Sequence, residues 1–171
     1  MKLANFVATD TEAPQFFRKP FHLVGTDGTW CCACDEKALI AVKAQLKLPK
    51  FRGPAKDHDT FVHWLEVKVP DDAEEMQVAE LLDWTGPADG QERPGVVLGA
   101  QVDRCRLAKL LGPLKGVVTV WNSQKEVAIP GLLLAKGGVW RAVLAGYSEV
   151  DEDTPHFGTQ SELFDLAMDL D

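Results

Sequence analysis

VDRCRLAKLLGPLKGVVTVWNSQKEVAIPGLLLAKGGVWRAVLA, from Val102 to Ala145, is the stretch that decides the fold. Asp103 is placed to cap a helix whose apolar residues Leu107, Leu110 and Leu111 recur at helical spacing, and Gly112-Pro113 stops it. Val117 to Trp121 then reads as a strand, Asn122-Ser123 as a turn, and Lys125 to Ile129 as a return strand. Beyond Pro130-Gly131 come the run LLLA, the break Lys136-Gly137-Gly138 and the run VWRAVLAGY. The pattern is one helix followed by a meander of antiparallel strands, with turn chemistry at each reversal. No catalytic constellation lies inside it.

Working outward toward the N-terminus, Val96 to Val102 reads as a strand entering this block, and Gly86 to Pro94 (GPADGQERP) as a loop and a seam between halves. Pro70-Asp71-Asp72 opens a predicted helix through Leu82, with Met76, Ala79 and Leu82 on one face. Phe61 to Val69 (FVHWLEVKV) alternates and predicts a strand, and Arg52 to Asp59 a loop. Two patterns fit Asp35 to Leu48. Ala38, Leu39, Val42 and Leu46 suit a helix capped by Asp35, whereas alternation suits a strand from Ile40 onward, which is the expectation adopted. Phe21 to Gly25 and Trp30 to Cys34 flank Thr26-Asp27-Gly28-Thr29, a hairpin signal. Leu3 to Val7 suggests a short strand, and a helix beginning near Thr11 would take Pro14 into its first turn and turn Phe16 and Phe17 inward. Together these predict an α+β fold of antiparallel sheets with two main helices: a single domain over 1–147, divisible into halves 1–86 and 95–147, followed by an acidic tail over 148–171.

The chain has 171 residues and a formal charge of −8, with 18 Lys and Arg against 26 Asp and Glu. Eight of those acids and no Lys or Arg lie from Ser148 onward, so the body is neutral and the tail carries the imbalance. A neutral body binds nucleic acid only if its bases cluster in space. The candidates are Lys43, Lys47, Lys50, Arg52 and Lys56 on one segment and Arg104, Arg106 and Lys109 on the predicted helix. No apolar run approaches the roughly 20 residues of a membrane span, and MKLANFVATD lacks a signal-peptide core, so a cytoplasmic protein with no membrane association is expected.

Cys31, Cys32, Cys34 and Cys105 show no zinc-type pairing of CxxC units, and no disulfide framework is expected in the cytoplasm. Trp30, Cys32 and Cys34 are read as core-filling residues on one side of a strand. Asp57, His58, Asp59 and His63 form the polar cluster that a metal-dependent enzyme would use. Residues of these types in loops are usually solvated, so no metal, cofactor or catalytic residue is assigned.

VDRCRLAKLLGPLKGVVTVW resembles the second half of a domain of the bacterial DNA polymerase sliding clamp (the beta subunit), matching through Val102, Leu107, Leu110 and Val117 to Val120. Val24 to Gly28 (VGTDG) is similar to the ATDG that ends a strand in those domains, with Thr29-Trp30-Cys31 where that family has HRL. The resemblance implies two strand–helix–strand halves with a strand surface outside and helices inside. It also implies contact with DNA phosphates, and several copies if a ring is to close. In the tail, Gln160-Ser161-Glu162-Leu163-Phe164 is similar to the bacterial clamp-binding peptide. There Gln160 would hydrogen-bond at a pocket edge while Leu163 and Phe164 fill it. Leu163, Phe164, Ala167 and Leu170 equally form one stripe of a short helix that must dock on its own domain or on a partner. The stretch before it, EVDEDTPHFGT, reads as exposed linker. The expected function is thus a non-enzymatic accessory of DNA replication or repair. The alternative is an adaptor whose tail recruits a replication clamp or polymerase.

Overall fold

The computed structural model describes residues 2–8, 12–123, 131–147 and 152–158. A 3-10 turn over Leu3–Phe6 and a four-residue helix Gln15–Arg18 (α1) precede the meander Phe21–Val24 (β1), Thr29–Cys34 (β2) and Ala38–Val42 (β3). The helix Ala55–Glu66 (α2) follows, then Glu74–Gln77 (β4), Val78–Thr85 (α3), the hairpin Pro94–Val97 (β5) and Ala100–Asp103 (β6), and Arg104–Leu111 (α4). Val117–Asn122 (β7), Gly131–Lys136 (β8) and Trp140–Ala145 (β9) complete the described elements. Seven strands form one antiparallel sheet in the order β1-β2-β3-β9-β8-β7-β4, and β5-β6 stands apart, so the fold is α+β.

The N-terminal meander and the last described strand meet at the centre of the sheet, where Ile40 on β3 faces Ala142 on β9. Both faces are buried, because alternate side chains of each strand enter two different cores. Cys31, Ile40, Val120, Leu134 and Ala142 pack under the 3-10 turn, α3, α4 and the β5-β6 hairpin. Cys32, Leu39, Trp121, Leu133 and Val143 pack under Phe61 and Leu65 of α2 and under Val67, Val69 and Ala73, which lead on to β4. The helices therefore flank both sides of the sheet.

Several expectations hold. Asp103 caps α4, its Oδ1 accepting from the Cys105 backbone N–H at 3.0 Å. The TDGT turn joins β1 to β2, with Val24 opposite Thr29. β7, β8 and β9 follow one another as an antiparallel meander. Here β7 pairs with residues 131–136; the expected return strand Lys125 to Ile129 lies outside the described residues.

Others are corrected. The alternating run 61–69 belongs largely to α2, which starts two residues after Gly53 and so also replaces most of the 52–59 loop. Pro54 supplies the cap position, and Phe61 and Leu65, four apart, form its buried stripe. The predicted helix from Pro70 is instead a turn, the edge strand β4 and α3, since Met76 alone of the EEMQ residues is buried. β3 ends at Val42 rather than continuing to Leu48. Leu3 to Val7 is a 3-10 turn, not a strand, and α1 is shorter and later than expected, with Pro14 as its cap and Phe16 and Phe17 half-buried. Val96 to Val102 is split by a two-residue turn in which both Leu98 (φ 50°) and Gly99 (φ 81°) take positive φ.

Residues 152–158 are also more than linker. The Val96 N–H donates to the Pro155 carbonyl at 2.8 Å, the Phe157 N–H donates to the Val96 carbonyl at 2.9 Å, and Thr154 is buried. Backbone bonding of this kind leaves no trace in composition, which here is acidic. Among the described residues no helix is long and apolar enough to cross a membrane.

Candidate nucleic-acid interface

After β3 the chain returns alongside β1. The His22 N–H donates to the Pro49 carbonyl at 2.8 Å, the Phe51 N–H donates to the His22 carbonyl at 3.0 Å, and the His22 Nδ1 bonds the Leu48 carbonyl at 2.7 Å. This short parallel pairing fixes the direction of three successive side chains. Phe51 turns inward, where it is buried, while Lys50 and Arg52 turn out and are exposed. The Phe51 ring meets Phe21 at 5.0 Å, Phe16 at 5.3 Å and Phe61 at 5.6 Å between centroids. A Cβ on Gly53 would stand 2.4 Å from the Phe51 ring and 2.9 Å from Phe16, so only glycine lets the chain pass these rings undisturbed.

Between α1 and residues 49–53 this arrangement leaves a cleft of about 160 Å³. Phe16, Phe21 and Phe51 line it, and Lys19, Lys50 and Arg52 bring three cations to it. Lys47 precedes this segment, and Lys56 follows it in the first turn of α2; both are exposed. Lys43 lies over the Trp30 ring at 4.9 Å. Among the described residues no ion pair ties down Lys19, Lys47, Lys50, Arg52 or Lys56.

The other three expected contacts lie on α4, which packs on the opposite face of the sheet, and each is engaged. Arg104 sits over Trp84 at 5.7 Å and its Nε donates to the Pro94 carbonyl at 3.1 Å. Arg106 is ion-paired with Asp35 and approaches Asp103 at 3.8 Å. The Lys109 ammonium lies 5.5 Å from the centre of the Phe6 ring. A larger groove of about 470 Å³ opens beside them, but Asp35, Glu36 and Asp103 line it together with Arg106 and Lys109, so it offers a polyanion no net attraction. The eight residues are therefore two groups on two surfaces.

The cysteines are structural. Cys31 points to one core and donates to the Ala44 carbonyl at 3.0 Å, whereas Cys32 and Cys34 point to the other. Burial, reinforced by Cys34 and Cys31, pushes the Cys32 thiol well up; burial, then Asp35 and Asp57, does the same to Cys34. Both remain protonated and unreactive at neutral pH. Asp57, His58, Asp59 and His63 all lie on α2, where consecutive residues diverge around the helix, and Asp59 is bonded to His58 at 3.2 Å. Among the described residues no group of three or more His, Cys, Asp and Glu side chains is placed to hold a metal ion.

Sequence reasoning missed Lys19, Phe16 and Phe51. Some thirty residues separate α1 from the 48–53 segment, and only the pairing of that segment with β1 brings them together. Gln160, Leu163 and Phe164 lie outside the described residues. No family model, curated protein or solved structure matches this chain.

Proposed function

We propose that this chain is a non-enzymatic accessory protein of DNA replication or repair, which rests on DNA phosphates through Lys19, Lys50 and Arg52, with Lys43, Lys47 and Lys56 beside them. The observation that supports this is the convergence of exposed cations, free of acidic partners among the described residues, on one aromatic-floored cleft. Such groups hold a polyanion in place. Arg104, Arg106 and Lys109 are structural in this reading. The setting of replication or repair comes from the likeness of Gln160 to Phe164 to a clamp-binding peptide, through which the tail would recruit a sliding clamp.

Fluorescence anisotropy with a labelled DNA duplex tests the first part. Affinity should fall with salt at a log–log slope of roughly −3 if about three or four phosphates are neutralised. Lys50→Glu should weaken binding about tenfold, because it replaces an attraction with a repulsion at the contact. Lys115→Glu changes the net charge equally but stands before β7, across the sheet, and should change affinity less than twofold, as expected for a charge remote from the contact. Equal loss in both variants, or no binding at low salt, would overturn the assignment. For the tail, Leu163→Ala with Phe164→Ala should abolish co-elution with a purified bacterial sliding clamp. Co-elution that survives the double substitution would remove the tail from the proposal.

A further inference from the structure

The cleft beside β1 has a floor that contact with a duplex backbone does not use. Phe21 and Phe51 are 3% and 8% exposed and belong to the core, whereas Phe16 is half-buried and lines the open cleft from a helix of only four residues. Its ring packs against Phe17 at 4.4 Å and Phe51 at 5.3 Å between centroids. Gly53 keeps the approach to both rings clear of a side chain. A cleft of about 160 Å³ has room for one planar heterocycle and excludes a base pair still stacked in a duplex. Cations beside an aromatic face are the combination that binds an unpaired nucleotide, base on the ring and phosphates on the charges. In a duplex both faces of each internal base are already covered.

From this geometry we infer that the cleft is a subsite for one unpaired base of a single-stranded nucleic acid, stacked against Phe16, with the flanking phosphates on Lys19, Lys50 and Arg52. This rests on the reading of the cleft as a DNA contact and adds a strand preference to it. The charge complementarity is that of the phosphate contact; the ring selects the single strand.

The test is anisotropy of the full chain with three labelled probes: an oligothymidine, the same length with abasic sites in place of its bases, and a duplex of that length. The oligothymidine should bind on the order of tenfold more tightly than the abasic strand, the worth of one stacked base. Phe16→Leu keeps an apolar side chain of similar bulk but removes the π face. It should lower oligothymidine affinity by a similar factor and duplex affinity by clearly less, with the folded state checked by circular dichroism. Lys50→Glu should weaken all three probes. If intact and abasic strands bind equally while the duplex still binds, the base subsite is wrong and the phosphate contact stands. If no probe binds at low salt, the DNA reading itself falls. The abasic comparison leaves the protein unchanged, so it decides the matter even if Phe16→Leu does not fold.

Discussion

Glu66, the last residue of α2, holds the β1-β2 turn from across the chain. Its carboxylate accepts the Thr26 N–H at 3.1 Å, the Asp27 N–H at 3.0 Å and the Thr26 hydroxyl. A Cβ on Gly25 would stand 1.9 Å from its Oε1, so the glycine leaves room for the acid. Burial disfavours the charge, but the hydrogen bonds, led by the Thr26 hydroxyl, outweigh it and hold the carboxyl below its usual range. Because the folded state binds its proton less readily than the unfolded state, the contribution is complete above the ordinary Glu pKa of about 4.3 and is lost as pH falls through the folded value. Glu66→Gln should cost about 1 kcal/mol at neutral pH, the worth of hydrogen bonds in a largely solvated setting. In urea titrations the gap between the two proteins should close below pH 4; a gap constant through the acid range would mean that the charge is irrelevant. Gly131 makes the opposite demand on its surroundings. A Cβ there would stand 2.2 Å from the backbone oxygen of Leu144, which cannot swing aside, so Gly131→Ala should destabilise by about 1 to 3 kcal/mol. Gly138→Ala, with nothing within 4 Å of the added atom, should not show that loss in the same urea titration. In the sequence Gly131 looks like half of a Pro-Gly turn; in the fold it is a ladder residue opposite Ala145.

The helix capped by Asp103 and the hairpin turned at Asp27-Gly28 were legible, whereas the long alternating run Phe61 to Val69 misled. Asp103 explains the first, because a cap is a local bond that the adjacent residues dictate. Its carboxylate takes the N–H groups of Cys105 and Arg93 at 3.0 and 3.1 Å, and Arg106 stands beside it. Asp103→Ala should therefore lower stability by about 2 kcal/mol, the cost of losing a cap and leaving a second N–H unpaired. Asp103→Asn, which keeps an acceptor, should recover most of that in thermal unfolding; an Asn variant as unstable as the Ala one would place the stabilisation in the charge instead. Strands buried on both faces, such as WCCAC and GLLLA, read as continuous apolar runs bounded by turns and were legible without any polar side to alternate with. The cleanest alternation, Phe61 to Val69, was mostly helix, its half-buried Trp64 and Val62 masking the Phe61 and Leu65 stripe. The candidate site shows the same limit. Lys50 and Arg52 stood out as charge, but the rings that turn them into a cleft come from separate elements, and Arg104, Arg106 and Lys109 proved to be held by Trp84, Asp35 and Phe6.

At the scale of the whole molecule, the residues past β9 complete the side of the fold that α3 and the β5-β6 hairpin build. Phe157 packs on Trp84 at 5.4 Å, and Trp84 in turn lies under Arg104, so one ring joins α3, α4 and the 152–158 segment. The segment also occupies the edge of β5 through the two bonds to Val96. Removing it exposes that edge and one face of Trp84, and takes away the buried Thr154. A chain ending at Tyr147 should thus be less stable than the full chain by about 2 to 3 kcal/mol, summing two backbone hydrogen bonds of about 1 kcal/mol each and an aromatic contact of about 0.5 to 1.5. A chain ending at Gly158, which keeps every one of these contacts, should be more stable than the chain ending at Tyr147 by that amount. Urea unfolding of the three lengths decides it. Should the Tyr147 and Gly158 forms unfold together, the segment contributes nothing to the fold and its acids are solvent-facing chain, as their composition alone suggests. Should they separate as expected, the form ending at Gly158 is the one in which to compare DNA binding by the body with and without Gln160 to Phe164, because it removes the peptide and keeps the Val96 bonds and the Phe157 contact.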